Sequence, residues 1–122
     1  MARILICDDA AFMRMTIRET LENAGHEIIG EAEDGNSAIE IYKKSKPDLV
    51  TMDILMKTSG VEAVKKLKDL DPNAKIVMVS ILDEQEAEVI EAVRSGAEGI
   101  VTKPIKREML TAEVNRVLRK GK

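Results

Sequence analysis

The chain has no tryptophan, one phenylalanine (Phe12) and one tyrosine (Tyr42) among 122 residues. Its core must therefore be aliphatic. A single cysteine, Cys7, excludes an intrachain disulfide and fits a reducing cytoplasm. Cys7 lies within an apolar run and reads as a small buried residue rather than a redox centre. The only histidine, His26, opens a predicted strand away from the candidate site and reads as a surface residue. Basic residues are not in excess: 19 Lys and Arg against 22 Asp and Glu give a net charge of −3, which argues against direct nucleic-acid binding. No apolar run approaches the roughly 18 residues of a membrane span. The N-terminus lacks a secretory apolar region with a cleavage site, so a cytoplasmic protein without membrane association is expected. Linkers, low-complexity tracts and repeats are also missing, and the length suits one domain over residues 1–122.

What is present is a strict alternation of strand and helix patterns. Apolar runs at 3–7, 27–32, 49–53, 75–79 and 99–102 read as strands. Between and after them lie five helical patterns. The first, 12–24, carries Met13, Ile17, Leu21 and Ala24 on one face, leaves Arg14 and Arg18 elsewhere, and ends at Gly25. Ser37 and Glu40 suggest a capping box for a helix to about Lys44, after a turn at Asp34-Gly35. Gly60 opens a helix to about Leu70. Asp83 is placed to cap a helix through Ser95, and a last helix follows Pro104. Lys65, Lys66 and Lys68 read as a solvated face, as do Glu84, Glu86, Glu88 and Glu91. Five strands alternating with helices imply an α/β fold, a parallel sheet covered on both faces. In such a sheet, active groups lie beyond the carboxyl ends of the strands.

The chemistry-bearing residues fall at those ends. Asp8 and Asp9 close the first strand, Asp53 the third, and Lys103 the fifth, with Ser80 just past the fourth. Asp8-Asp9 alone would be an ordinary solvated turn, and Ser80 alone an ordinary loop hydroxyl. Together they form one edge. Three carboxylates repel one another and call for a cation, and oxygen-only ligands suit a hard ion such as Mg²⁺. A lysine beside such a cluster is what a transferring phosphoryl group requires.

These residues, in this order, resemble the response-regulator receiver family, closest to its stand-alone, CheY-like chemotaxis type. The carriers are Asp8-Asp9 and the segment through Met15, Asp53 after Val50-Thr51-Met52, Ser80 after the fourth apolar run, and Lys103-Pro104. The resemblance covers essentially the whole chain. It implies a flavodoxin-like, doubly wound fold of five parallel strands in the order 2-1-3-4-5, flanked by five helices. It implies that Asp53 accepts a phosphoryl group from a histidine kinase. Asp9, Asp53 and the backbone carbonyl of Leu55 would hold Mg²⁺ directly, with Asp8 acting through a metal-bound water. Lys103 would contact a phosphoryl oxygen and Ser80 would move to bond it. The Lys103–Pro104 bond would be cis. No output domain is expected, so the signal would pass to a protein target at the face of helix 4, strand 5 and helix 5. The expected state is a monomer or a phosphorylation-dependent dimer.

Some positions depart from the family pattern. Lys57 stands where proline is usual after Met56, and the loop to Gly60 is one residue short. Ser80 to Gly96 is one residue longer than usual. Ile81 replaces a small residue next to Ser80, where its bulk would crowd a phosphoryl group. Ile100 replaces the aromatic that usually switches rotamer. Isoleucine is stiff about χ1, so the switching element is expected to be Ser80, Ile81 and Leu82 more than Ile100. Three alternatives compete: a degenerate, phosphate-independent receiver adaptor, a flavin carrier, and an aspartate-nucleophile phosphatase. The flavin reading lacks a Ser/Thr/Gly-rich phosphate loop after the first strand. The phosphatase reading lacks Asp-x-Asp. The chain is not expected to be an enzyme beyond catalysing its own phosphotransfer and slow dephosphorylation.

Overall fold

The structure, a computed structural model, describes residues 1–81 and 84–120. Its elements alternate as the apolar periodicity implies: β1 (Arg3–Cys7), α1 (Ala11–Asn23), β2 (Glu27–Ala32), α2 (Gly35–Ser45), β3 (Leu49–Asp53), α3 (Gly60–Leu70), β4 (Ile76–Ser80), α4 (Glu86–Arg94), β5 (Gly99–Thr102) and α5 (Arg107–Arg119). All pairings are parallel and the strand order is β2-β1-β3-β4-β5.

The aliphatic composition dictates how the sheet is covered. Successive side chains of a strand point to opposite faces, and each of the central strands is apolar on both. Leu5, Cys7, Val50, Met52, Ile76 and Met78 face one core with Tyr42, Val64, Leu67, Val89 and Ala92 from α2, α3 and α4. Ile4, Ile6, Leu49, Val77 and Val101 face the other, with Ile17, Leu21, Leu110, Val114 and Val117 from α1 and α5. The order reverses between β1 and β3, which opens a crevice at the carboxyl ends of these strands.

Local chemistry sets the element ends. Gly25, at φ +92°, carries the chain out of α1 in a conformation an L side chain resists. The expected capping box of Ser37 and Glu40 is not the device used for α2. Asp34 caps instead, its carboxylate accepting from Ser37 N at 2.8 Å, so the helix starts earlier than a Ser37 cap would allow, at Gly35. Two acceptors competed for one end, and the earlier residue had the extended backbone that a cap needs. Helix α4 starts at Glu86 rather than directly after Asp83, which, with Leu82, lies outside the described residues.

Two residues read as solvated are tied into the fold. Lys68 is largely covered and reaches Glu98 at 3.4 Å. His26 is half-buried: its Nδ1 accepts from Ala2 N at 3.1 Å, and its Nε2 pairs with Asn115 Oδ1 at 2.9 Å. The first bond needs a neutral imidazole in which Nε2 carries the proton and donates to Asn115. His26 thereby pins the start of β1 to α5. Among the described residues, no helix is long and apolar enough to cross a membrane.

Candidate functional site

The β1–α1 connection holds Asp8 in place from three sides. Its N–H extends the ladder to β2 by donating to Ala32 O at 3.0 Å. Its Oδ1 accepts from Ala10 N at 2.9 Å, a local turn typical of aspartate. Its carbonyl accepts from an Arg14 guanidinium nitrogen at 2.6 Å. Asp8 is fully buried, whereas Asp9 beside it is exposed.

Asp53 ends β3 and is 2% exposed. The turn that follows is tight. Gly60 N donates to Ile54 O at 3.0 Å, and a Cβ at Gly60 would fall 2.1 Å from the Asp53 carbonyl. Only glycine lets α3 start this close to the strand end. Thr58, in the shortened loop, accepts from Gly35 N at 2.9 Å and ties that loop to the start of α2.

Lys103, with its side chain 20% exposed, joins the carboxylates: Nζ lies 3.1 Å from Asp53 Oδ1 and 3.5 Å from Asp8 Oδ2. Its main chain is anchored by N–H donation to Ser80 O at 2.7 Å. The Lys103–Pro104 bond is cis. Asp8, Asp9 and Asp53 each bring one carboxylate oxygen within 4.8 Å of the others.

Electrostatics and burial oppose each other here. Burial, and then the charge of Asp8, push the Asp53 carboxyl up to about 6, while Lys103 pulls it back. Three buried side-chain oxygens lack a partner among the described residues: Thr51 Oγ1 within β3 and, at the site, Asp8 Oδ2, apart from the longer approach of Lys103, and Ser80 Oγ. Orphaned buried acceptors are costly and mark places where something else is meant to bind. An all-oxygen set of three carboxylates fits a hard divalent cation.

Asp8, Asp53 and Lys103 thus converge, and Asp9 adds its carboxylate from the rim. Ser80 is the last residue of β4, one step past the Asp53–Val79 pair, and is fully buried rather than part of a loop. Leu55 follows Asp53 in the loop with its side chain exposed. Ile81 adjoins the site, 39% exposed. Leu82 lies outside the described residues. Ile100 stands apart, paired with Met78 two residues before the Ser80–Thr102 rung, and its N–H donates to Glu113 Oε2 at 2.9 Å.

Three polar residues that hold the site were not singled out from the sequence. Arg14 was assigned to an outer helix face, although it lies within the family-like segment running to Met15. Thr58 was one member of a short loop. Gln85 is 3% exposed, and its Oε1 accepts from Ile81 N at 2.7 Å, fixing the turn after Ser80. A buried glutamine carries no sequence signal of its own. Cys7 is buried among apolar groups, and burial raises its thiol far above the ordinary range, so it is inert.

The response-regulator receiver domain model matches residues 4–115. The chain belongs to the receiver-domain family. It is 46% identical over 116 residues to the chemotaxis protein CheY of Thermotoga maritima, covering 94% of this chain and 96% of that protein. It is 44% identical over 117 residues to CheY of Bacillus subtilis, covering 95% and 97%. Among solved structures, the receiver domain of NtrX from Brucella abortus superposes with a TM-score of 0.90 at 28% identity, over 96% of this chain and 98% of that one. This receiver chain therefore shares the five-stranded parallel architecture of its relatives, with its acidic cluster at the carboxyl edge of the sheet.

Proposed function

We propose that this receiver domain is a phosphorylation-controlled response regulator. It accepts a phosphoryl group on Asp53 from a phosphohistidine of a partner kinase, with Mg²⁺, and passes the signal to a protein partner in chemotaxis or motility. The carrying observation is the Lys103 ammonium lodged between the buried carboxylates of Asp53 and Asp8, with the exposed Asp9 completing an oxygen-only cluster. The nearly full-length likeness to chemotaxis proteins CheY supports the pathway.

Asp9, Asp53 and the Leu55 carbonyl would hold the ion directly, and Asp8 through water. When bound, it neutralises charge on the carboxylates and on the incoming phosphoryl oxygens. The remaining work falls to the chain. Among the described residues, only Oδ1 of Asp53 accepts a hydrogen bond, from Lys103, which leaves Oδ2 to attack phosphorus. The new O–P bond forms as the P–N bond to the kinase histidine breaks, and the imidazole leaves with the electron pair. Lys103 stabilises the equatorial oxygens as charge spreads over them. Ser80 Oγ, without a partner among the described residues, donates to a phosphoryl oxygen of the product. The chain is then a phosphoacceptor that assists its own modification.

For output, helix α4 presents Ile90 and Val93 to solvent above the acidic residues Glu86, Glu88 and Glu91. Separately, β5 and α5 form a groove lined by Ile100, Thr102, Met109 and Arg116. Both offer apolar anchors beside charged residues, a combination suited to a protein target.

The test is an NMR titration with Mg²⁺, then with the phosphoryl mimic beryllofluoride. Both are expected to bind, with amide shifts centred on Asp9, Asp53, Ser80 and Lys103. Asp9→Ala should weaken Mg²⁺ binding about tenfold or more, since hard-ion sites lose affinity with each ligand removed. A folded chain that binds neither would instead be a phosphate-independent adaptor, the reading that Ile81 beside Ser80 favours.

A further inference from the structure

Arg14 makes the shortest side-chain contact to the acidic edge, 2.6 Å from a guanidinium nitrogen to the Asp8 carbonyl oxygen. The same side chain, only 13% exposed, meets Glu31 Oε1 at 3.0 Å through Nε and approaches Glu33 at 3.7 Å. Glu31 is held in turn by Arg18 at 2.7 Å, and Arg18 by Glu22 at 3.0 Å. Hydrogen bonds from Arg18 and Arg14 keep the Glu31 carboxyl below its ordinary range. The planar fork of Arg14 is thus fixed at one end by a carboxylate from β2 and presents its other end to the β1–α1 connection.

The consequence concerns Asp9. Among the described residues, its carboxylate makes no hydrogen bond or ion pair, so only its backbone positions it. The peptide unit entering Asp9 consists of the Asp8 carbonyl and the Asp9 N–H. Its plane is set by whatever holds that carbonyl. The Asp8 N–H and Oδ1 are bonded elsewhere, to Ala32 and Ala10. Among the described residues, the side chain that holds the carbonyl is Arg14.

We propose that Arg14 is a positioning residue: it fixes the Asp8–Asp9 peptide plane and so aims the Asp9 carboxylate at the Asp8–Asp53 cluster for cation binding. This rests on the reading of that cluster as a Mg²⁺ site. The partners that orient a metal ligand are worth roughly 10–100-fold in affinity. Lysine keeps the charge but cannot bridge carbonyl and carboxylate together, so Arg14→Lys and Arg14→Gln should both lose binding. Arg18 shares Glu31 but does not touch Asp8, which makes it the control.

The test is Mg²⁺ affinity of the parent, Arg14→Lys, Arg14→Gln and Arg18→Gln, by amide NMR titration, with the melting temperature of each apo protein. Expected are a fall of about tenfold for both Arg14 variants, displaced Asp9 and Ala10 amide resonances before any Mg²⁺ is added, and affinity within about twofold of the parent for Arg18→Gln. A purely structural role would lower the melting temperature and leave affinity alone. Parent-like affinity in Arg14→Gln overturns the inference while the site reading stands. Equal losses in Arg14→Gln and Arg18→Gln overturn it too, since they would trace to the docking of α1 on β2. A parent that binds no Mg²⁺ overturns the site reading, and this inference with it.

Discussion

Lys103 Nζ sits 3.1 Å from Asp53 Oδ1, and this contact joins the end of β5 to the end of β3 across β4. It is the cationic member of a buried cluster, so its removal leaves two buried carboxylates facing each other. Lys103→Met is expected to lower stability at neutral pH by about 2 kcal/mol, the scale of a lost charged hydrogen bond. Part of that loss should return in the double variant with Asp53→Asn, which removes the stranded charge. Urea unfolding of the four proteins of this cycle measures both effects. Additive losses would show that the two side chains act independently.

The acidic edge should also make the metal-free fold sensitive to pH. The Asp53 carboxyl is held at about 6 against an ordinary 3.8. Between those values the folded chain retains a proton that the unfolded chain has released. Stability therefore falls as pH rises from about 4 to about 6, by roughly 3 kcal/mol at 1.4 kcal/mol per unit. Above that window the cost is constant. Asp53→Asn should flatten the dependence, and saturating Mg²⁺ should reduce it. Chemical unfolding at a series of pH values is the check, and stability rising through this window would show that Asp53 is not the group responsible.

The movement of signal is expected to centre on Ile81 rather than Ile100. Ile100 is packed against the core, has a stiff χ1 and is bonded through its N–H to Glu113. Ile81 adjoins the unpartnered Ser80 hydroxyl and is held mainly by Gln85 and the turn it closes. Structures with and without beryllofluoride should show the Ile81 backbone and the Ile81–Gln85 bond displaced, with the Ile100 rotamer kept. An unmoved Ile81 and a swung Ile100 would reverse the assignment.

Much of this was legible in the sequence because the determinants are local. Apolar runs such as Val50 to Met52 between turn residues define buried parallel strands, and the alternation of strands with helices fixes the class. Placing Asp8, Asp9, Asp53 and Lys103 on one edge then follows from parallel topology. What stayed hidden depends on tertiary partners. The outcome at α2, where Asp34 and not Ser37 supplies the cap, turned on backbone conformation. Arg14, Thr58 and Gln85 are polar residues whose importance comes from the carbonyl or amide they reach: Asp8 O, Gly35 N and Ile81 N. Lys68 and His26 looked like surface residues because their partners, Glu98, Ala2 and Asn115, are distant in sequence.

The most direct test of Asp53 as phosphoacceptor is intact-mass measurement after incubation with a small phosphoryl donor and Mg²⁺, on the parent and Asp53→Asn proteins. The parent should gain the mass of one phosphoryl group, and Asp53→Asn, which keeps the shape but removes the nucleophile, should gain none. Equal modification of both proteins at the same rate would contradict the assignment.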